Sequence, residues 1–248
     1  MDSSTVVRTN ILDVPVDTLT LDEALKRARE LLEGDEHHQI VTLSMEGFSR
    51  ARRDQEFSRA IRQAPLVLPV SRTLEKASAA LGGPAIHASV PFDLIIKLLG
   101  VADEAGAAVY LLGARKEHLE RTEKNLRVSF PRLRLVGRYA GYYASRVEQD
   151  IITAIRKSGP RLILVGSGVP GGELWPLRHR KQLTPGISLW VGDCFEVFGG
   201  AKHQIARRVY AAGLESFDGW ALRPWRLLRV FLRLGFWAQI LFRRLRKH

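Results

Sequence analysis

Apolar residues in this chain fall into short continuous runs, separated by longer stretches of helical periodicity. Each run is flanked by polar residues, glycine or proline, a pattern typical of strands buried on both faces. Strands that alternate with helices of about ten or more residues predict βαβ units and a parallel sheet. The predicted strands are Gln39–Ser44, Leu66–Leu68, Ala108–Leu112, Leu133–Val136, Leu162–Val165 and Ile187–Val191.

Between these runs, apolar residues recur three and four positions apart, as in helices that bury one face. Two helix starts match the capping-box pattern, one at Thr20–Glu23 and one at Ser145–Glu148. Pro91 occupies a favourable first helical position. Further helices are predicted in an Arg- and Gln-rich segment around Phe57–Ala64, from Lys116 to Ser129, and from Glu173 onward.

These elements predict an α/β fold with a Rossmann-like parallel sheet, helices on both faces, and a basic C-terminal helical appendage. We place the core at residues 1–200 and the appendage at residues 201–248. Asn10–Val16 is predicted to be a short extended piece, and Pro15 argues against a central strand.

Glycines follow several predicted strands, at the edge where open α/β sheets bind ligands. They are Gly113, Gly137, Gly166 and Gly192. In Leu162–Trp175, a strand, a Gly-Ser-Gly turn and a helix start suggest an anion-binding corner, although an ordinary βα junction has the same pattern. No dinucleotide-type G-x-G-x-x-G and no P-loop motif is present, which disfavours a nicotinamide dehydrogenase or a P-loop ATPase.

The net charge of +12 is concentrated at one end of the chain. Residues 201–248 carry eleven Lys and Arg against two acidic residues, whereas the first 200 residues are nearly neutral. Arginines and aromatic residues alternate in residues 220–248, which favours an anionic membrane surface as partner. Nucleic acid is the less favoured polyanion. The apolar run 230–241 is too short to span a bilayer.

Few residues offer metal or thiol chemistry. Cys194 is the single cysteine, which excludes an intrachain disulfide, and it is predicted to be a small buried residue. The seven histidines show no metal-ligand spacing, and His37 and His38 are predicted to lie in a solvated turn. No signal-peptide pattern opens the sequence, so we expect a cytoplasmic location.

The order of several short motifs resembles the WecG/TagA/CpsF family of bacterial glycosyltransferases over roughly residues 10–231. Each motif alone is weakly specific, and their collinear order carries the resemblance. The motifs are Ile11–Ala24, Val41-Thr42, Val109–Ala114, Val136–Tyr143, Leu164–Pro170 with Glu173 and Trp175, Val191–Glu196, and Gly213–Glu215 running to Arg223-Pro224.

The resemblance implies inverting transfer of an N-acetylhexosamine from a UDP-sugar to an undecaprenyl-diphosphate-linked acceptor, in cell-surface polysaccharide synthesis. It also implies no metal or other cofactor, a homo-oligomer, and peripheral attachment to the inner face of the membrane. The donor-binding candidates are Gly113, Gly141, Tyr142, Gly166, Gly168, Pro170 and Glu173. Tyr142 and Tyr143 are candidates to stack on uracil, the alternative being packing against the sheet.

Catalytic candidates are Thr42, Asp93, Asp193 and Glu196. The family's usual catalytic Asp falls on Val70, which cannot accept a proton, so the carboxylates among these candidates are the alternative bases. Other departures from the family pattern are Ser44, Ala88 and Gly171-Gly172. The competing hypothesis is therefore a catalytically degenerate member that binds lipid-linked sugar or a partner transferase. For Thr42, Asp193, Glu196 and Glu173, ordinary strand, loop or helix-start roles remain the alternative.

Overall fold

Six parallel strands form the central sheet of this computed structural model, which describes residues 7–213 and 228–245, with backbone alone for 228–234. The spatial order is β4-β3-β8-β7-β5-β6, and every neighbouring pair runs parallel. The predicted α/β class is confirmed. The strands are β3 (His37–Leu43), β4 (Leu66–Pro69), β5 (Ala108–Leu112), β6 (Arg134–Tyr139), β7 (Leu162–Gly166) and β8 (Gly186–Gly192).

An antiparallel hairpin precedes this sheet, built from β1 (Arg8–Ile11) and β2 (Val14–Asp17). The buried carboxylate of Asp17 joins the hairpin to the edge strand β4, accepting hydrogen bonds from Val67 N at 2.6 Å and Arg8 Nε at 2.5 Å. The piece around Pro15 thus lies outside the central sheet, as predicted, but it is half of a hairpin.

Helices cover both faces of the sheet, because successive strand residues alternate between two apolar layers. On β5, Val109 and Leu111 pack with one set of helices, whereas Tyr110 and Leu112 face the other side. The helices are α1 (Leu21–Glu33), α2 (Met45–Ala51), α3 (Gln55–Gln63), α4 (Arg72–Ala80), α5 (Pro91–Glu104), α6 (Lys116–Ser129), α7 (Glu148–Ser158), α8 (Trp175–His179), α9 (Cys194–Phe198), α10 (Arg207–Ala211) and α11 (Leu228–Leu245). Helices α1, α5, α6 and α9 lie over the first layer.

The two predicted capping boxes have different outcomes. At Thr20, both halves form, with Glu23 Oε2 accepting from Thr20 N at 2.8 Å and Thr20 Oγ1 capping Glu23 N. At Ser145 the prediction is wrong, because a 3-10 turn leads into α7 without a side-chain cap. The Glu148 carboxylate instead accepts a hydrogen bond from Trp175 Nε1 at 3.1 Å.

Other helix predictions need correction. The helix predicted around Phe57–Ala64 is present as α3, but a separate helix, α2, precedes it, because Asp54 starts α3 by accepting from Glu56 N and Phe57 N. Helix α4 was not predicted, since its short sequence lacks a continuous apolar stripe. The helix expected from Glu173 is a 3-10 turn followed by the five-residue α8, because glycines at positive φ precede it.

Two strand predictions are also wrong in detail. Gly137 does not follow a strand but lies within β6, where a Cβ atom would come 2.5 Å from the ring of Tyr110. His37 and His38 lie on β3, not in a turn. The His37 ring bridges β8 and the residues just before it, with Nδ1 2.6 Å from Thr184 O and Nε2 2.6 Å from Ser188 Oγ on β8.

The C-terminal helix α11 packs onto the main body. Phe236 and Ile240 are buried in the apolar layer that contains Phe48, whose ring centroid lies 5.4 Å from that of Phe236. Two side-chain hydrogen bonds strengthen this packing. Arg52 donates to Gln239 at 2.6 Å, and Arg243 donates to Asp13 at 2.7 Å. Three further aromatic residues of the segment 220–248, Trp220, Trp225 and Phe231, lie outside the residues whose side chains are described. In the described ranges, no helix has the length and apolar character needed to cross a bilayer.

Candidate functional site

The carboxyl ends of β5 and β7 meet at a switch in the direction of the chain. From β5 the chain continues to β6 on one side, whereas from β7 it continues to β8 on the other. The chain therefore leaves these two strands in opposite directions, which makes this point the switch point of the sheet. Open α/β proteins bind ligands at such a point.

Glycines stand at this switch point because the loop backbones touch there. Gly113 has φ +121°, and a Cβ atom on it would lie 2.7 Å from the backbone of Gly166. A Cβ atom on Gly141 would lie 2.6 Å from Ser167 O. These contacts leave no room for a Cβ atom, so only glycine fits at Gly113 and Gly141. The structure thus brings the predicted glycines Gly113, Gly141 and Gly166 together.

Hydrogen bonds join the three loops into one unit. Ala114 N donates to Ser167 O at 2.6 Å, Gly141 N to Ala114 O at 2.8 Å, and Tyr142 N to Gly168 O at 2.6 Å. Amides so engaged are unavailable to a ligand. A bound anion must therefore find its donors at the rim of the switch point, outside these loop contacts.

Tyr142 forms a flat, exposed surface at the rim. Its ring lies over Gly168, where a Cβ atom would come within 2.5 Å, and 65% of the residue is exposed. Its φ of +59° is unusual for a tyrosine, a conformation that the surrounding loop bonds hold in place. Tyr143, by contrast, is partly buried, donates to Glu148 at 3.4 Å, and has its pKa raised by burial and by that carboxylate.

Basic groups stand beside the Tyr142 ring. The guanidinium of Arg115 lies 5.7 Å from the ring centroid, and α6 begins at Lys116 without a side-chain cap. Helix N-termini attract anions, because their first amides are free and the dipole is positive there. A cavity of about 540 Å³ opens at this point, lined by Arg115, Lys116, Glu117, Ala140, Gly141 and Tyr142.

Glu196 is a buried carboxylate next to the glycine loop after β7. Its Oε1 accepts a hydrogen bond from Ser167 Oγ at 2.5 Å. Its Oε2 is buried and has no hydrogen-bond partner among the described residues. One oxygen is thus held by the glycine loop, and the other is a buried acceptor that no described residue completes.

Asp93 and Asp193 are engaged with one segment that follows α9. Asp193 is exposed and pairs with Lys202 at 2.9 Å. Asp93, in the first turn of α5, accepts from Gln204 at 2.8 Å and lies 3.4 Å from Arg207. Both carboxylates thus fasten the segment that begins near Lys202.

The remaining candidates lie on other elements. Thr42 is the penultimate residue of β3, and its Oγ1 is 3.5 Å from Trp190 O on the neighbouring strand. Glu173 pairs with Arg50 at 3.6 Å, and burial raises the pKa of its carboxyl, with Glu46 adding to and Arg50 opposing that rise. Pro170 is half-buried in the loop after β7.

Positions that depart from the family pattern have structural roles here. Val70 is 4% exposed and belongs to the apolar core. Ser44 caps α2, its Oγ accepting from Gly47 N at 3.1 Å. Ala88 N donates to Glu75 at 3.3 Å.

Among the described residues, no group of three His, Cys, Asp or Glu side chains could hold a metal ion. Cys194 is buried as predicted, and burial raises the pKa of its thiol, with Asp193 and Glu196 adding to the rise.

Two features of the site were not predicted. One is Ser167 in the predicted glycine turn. Its position between Gly166 and Gly168 could have indicated a hydroxyl held at the site. The other is the pair Arg115 and Lys116. Two basic residues at a helix start shortly after a strand could have indicated an anion-binding position.

A parallel sheet covered on both faces, with glycine loops at its switch point, defines an open α/β fold, a class in which ligands bind at the carboxyl ends of the strands. The model of the glycosyl transferase WecG/TagA/CpsF family matches residues 9–248, and the chain belongs to this family. It is accordingly a glycosyltransferase of the WecG/TagA type.

Named relatives agree with this membership. An N-acetylglucosaminyldiphosphoundecaprenol N-acetyl-beta-D-mannosaminyltransferase of Staphylococcus aureus strain NCTC 8325 / PS 47 is 26% identical over 203 residues, which cover 81% of this chain and 79% of the relative. Enzymes of the same name from strains COL and MRSA252 show the same identity and coverage.

Proposed function

We propose that this protein transfers an N-acetylhexosamine from a UDP-sugar to a sugar on an undecaprenyl-diphosphate lipid, for a cell-surface polysaccharide. Its family membership and the names of its Staphylococcus aureus relatives support this substrate class. The observation that carries the proposal is the cavity of about 540 Å³ at the rim of the switch point, lined by Gly141, Tyr142 and the start of α6.

The donor nucleotide is assigned to this rim. The uracil ring stacks on the exposed Tyr142, and the diphosphate lies against Arg115, Lys116 and the first amides of α6. These positive groups stabilise the charge that develops on UDP as it leaves, so the proposal includes no metal. Gly113, Gly141, Gly166 and Gly168 support this rim from within the protein, because they let the loop backbones and the Tyr142 ring pack closely together.

We assign the catalytic base to Glu196. An acceptor hydroxyl attacks the anomeric carbon from the face opposite UDP, and its proton passes to Oε2 of Glu196. The bond from the anomeric carbon to the β-phosphate oxygen breaks, and that oxygen keeps the electron pair. The anomeric configuration is inverted. Asp93 and Asp193 are the weaker candidates, because both are ion-paired to the segment that follows α9.

Residues 220–248 are proposed to hold the enzyme at the inner face of the membrane, where a lipid-linked acceptor is reached. The eleven Lys and Arg of residues 201–248 support this placement. Each basic residue near an anionic surface contributes about 1 kcal/mol.

Calorimetric titration with UDP, followed by a panel of UDP-sugars, tests the donor site. Arg115→Ala with Lys116→Ala should weaken UDP binding at least tenfold, because two charge-assisted contacts are lost. Arg121→Ala with Lys124→Ala, a matched pair of exposed residues further along α6, should leave binding unchanged. An equal loss of UDP affinity in the two double variants, or no UDP binding by the wild-type protein, would refute the donor assignment.

A second candidate function is favoured by Val70, which is buried where the family's usual acid is expected. In this alternative the chain binds lipid-linked sugar or a partner transferase without turnover. UDP binding without any product on lipid-linked N-acetylglucosamine, across the whole sugar panel, would support it. Product formation that is lost in Glu196→Gln would exclude it.

A further inference from the structure

The carboxylate of Glu148 lies at the centre of a polar cluster that adjoins Tyr142 in the chain. Its Oε1 accepts hydrogen bonds from Trp175 Nε1 at 3.1 Å and from the Tyr143 hydroxyl at 3.4 Å. Its Oε2 lies 3.7 Å from Nε2 of His179, whose ring packs on that of Trp175 with centroids 4.9 Å apart. One side chain at the start of α7 thus contacts both the loop after β6 and helix α8.

This cluster is held by hydrogen-bond geometry more than by charge. Burial lowers the pKa of His179, with Glu148 opposing and Arg178 adding to that change, so the ring is neutral at pH 7. The two donors to Glu148, the indole N–H of Trp175 and the hydroxyl of Tyr143, are neutral as well. Trp175 is fully buried, so no water can replace its bond to the carboxylate. What Glu148 supplies is therefore an acceptor at a fixed place.

Both donors belong to segments that build the Tyr142 surface. Tyr143 directly follows Tyr142 in the loop after β6. Trp175 starts α8 at the end of the segment that follows β7, and that segment contains Gly168, over which the Tyr142 ring lies. Glu148 therefore joins the loop that carries the ring to the segment that supports it.

The backbone of Tyr142 needs such support. A tyrosine at a φ of +59° is strained and keeps this conformation only where neighbouring contacts fix it. Before the side chain branches, Tyr142 N donates to Gly168 O at 2.6 Å. One residue later, the Tyr143 ring packs edge to face on that of Tyr139, with centroids 5.9 Å apart, and its hydroxyl binds Glu148. Moving the carboxylate would release this second anchor.

We propose that Glu148 is a positioning residue that holds the Tyr142 ring where a nucleobase can stack on it. The inference rests on the proposed function, because it takes this ring as the surface for uracil. Glu148 is not one of the described residues that line the cavity at the rim, so it acts through Tyr143 and Trp175 and not on the ligand. It should govern affinity for the donor and leave the chemical step unchanged.

Two conservative variants separate the position of the acceptor from its charge. Glu148→Gln keeps the length and an acceptor oxygen but loses the charge, whereas Glu148→Asp keeps the charge and withdraws the carboxylate by one methylene. In calorimetry, Glu148→Asp should weaken UDP binding about tenfold, as expected for loss of one base stack, and Glu148→Gln should stay within about twofold of the wild type. Glu23→Asp, the same shortening in the Thr20 capping box, is the matched control and should bind UDP as the wild type does. An equal or larger loss in Glu148→Gln would overturn the proposal.

Kinetics and a double-mutant cycle show whether Glu148 acts through the ring. In sugar transfer, Glu148→Asp should raise KM for the UDP-sugar about tenfold with kcat nearly unchanged, since stacking is equal in the ground and transition states. In the Tyr142→Ala background, Glu148→Asp should cause no further loss of UDP affinity, because the ring it positions is gone. Additive losses would show that Glu148 acts elsewhere and would overturn the proposal.

Hydrogen exchange in the ligand-free protein makes one arm of the test independent of UDP. Amides 140–143, which include the Tyr142 N–H bonded to Gly168 O, should exchange faster in Glu148→Asp than in the wild type or Glu148→Gln, with no change in α5. Unchanged exchange at 140–143 would overturn the proposal. UDP binding that survives in Glu148→Asp would refute the positioning role alone. No UDP binding by the wild-type protein would instead refute the proposed function, and the nucleobase part of this inference with it.

Discussion

Ser167 and Glu196 form a hydrogen bond of 2.5 Å that links the glycine loop after β7 to α9. The second carboxylate oxygen of Glu196 is buried without a partner among the described residues. An unpaired buried acceptor is unfavourable unless a ligand completes it. The pair therefore combines a fixed orientation with one free acceptor, which is what a base for a sugar hydroxyl requires.

Glu196→Gln tests this role. The amide keeps the shape of the side chain but cannot take a proton, so we expect kcat for sugar transfer to fall by about 10²–10⁴-fold. UDP binding by calorimetry should change little. Glu104→Gln, an exposed carboxylate at the end of α5, is the control. If Asp193→Asn abolished transfer and Glu196→Gln did not, the base would be Asp193.

Gly113→Ala should destabilise the fold. A methyl group at φ +121° would collide with the Gly166 backbone, which can yield only by separating two strand ends. We expect a loss of about 3 kcal/mol in the free energy of unfolding. Gly100→Ala, inside α5 and facing open space, should instead add about 0.5–1 kcal/mol. Urea denaturation of both variants measures the contrast, and similar effects at the two sites would contradict it.

The protein should lose stability on acidification through His37. Thr184 O can only accept, so Nδ1 of His37 donates to it and Nε2 accepts from Ser188 Oγ, which fixes the neutral ring. Burial lowers the pKa of His37 below its ordinary 6.5. The unfolded chain therefore binds the proton first, and stability falls as the pH drops from about 6.5 through the folded-state pKa.

Urea denaturation between pH 8 and pH 5 checks this prediction. The wild-type protein should lose more stability over this interval than His37→Asn, whose side chain does not titrate. His179, whose pKa burial also lowers, is present in both proteins and cancels in the comparison. Parallel pH curves for the two proteins would show that His37 does not contribute.

Phe236→Ala should detach α11 from the main body. Loss of a buried phenylalanine costs about 3–5 kcal/mol, and Phe48 would lose its edge-to-face partner. Leu241→Ala, at an exposed position of the same helix, should stay within about 0.5 kcal/mol of the wild type. Hydrogen exchange in α11 should accelerate in the first variant alone. Protected α11 amides in Phe236→Ala would show that other contacts hold the helix.

The strands were predictable from sequence because a strand buried on both faces is an unbroken apolar run. The two capping boxes show where local reasoning ends. Thr20 and Glu23 hydrogen-bond to each other, three positions apart. Glu148 instead accepts from Trp175, which is distant in sequence, so local spacing could not indicate this contact. His37 was misplaced because its partners, Thr184 and Ser188, lie on a distant part of the chain.

In the candidate site, too, the local features were predictable from sequence and the long-range contacts were not. Glycines at strand ends were predictable, since the turn after a buried strand commonly contains them. The hydrogen bond between Ser167 and Glu196 joins residues 29 positions apart and depends on the turn into α9, which no local pattern indicates. The ion pairs of Asp93 and Asp193 depend in the same way on the course of the segment after α9.

The docking of α11 has a consequence for how the protein is made. Arg52 and Gln239 are 187 positions apart, and Asp13 and Arg243 are 230 apart. Domains form from the N-terminus during synthesis, and contacts of high sequence separation close last. The apolar surface around Phe48 thus stays open until residue 240 has left the ribosome, and throughout that interval the nascent chain needs protection against aggregation.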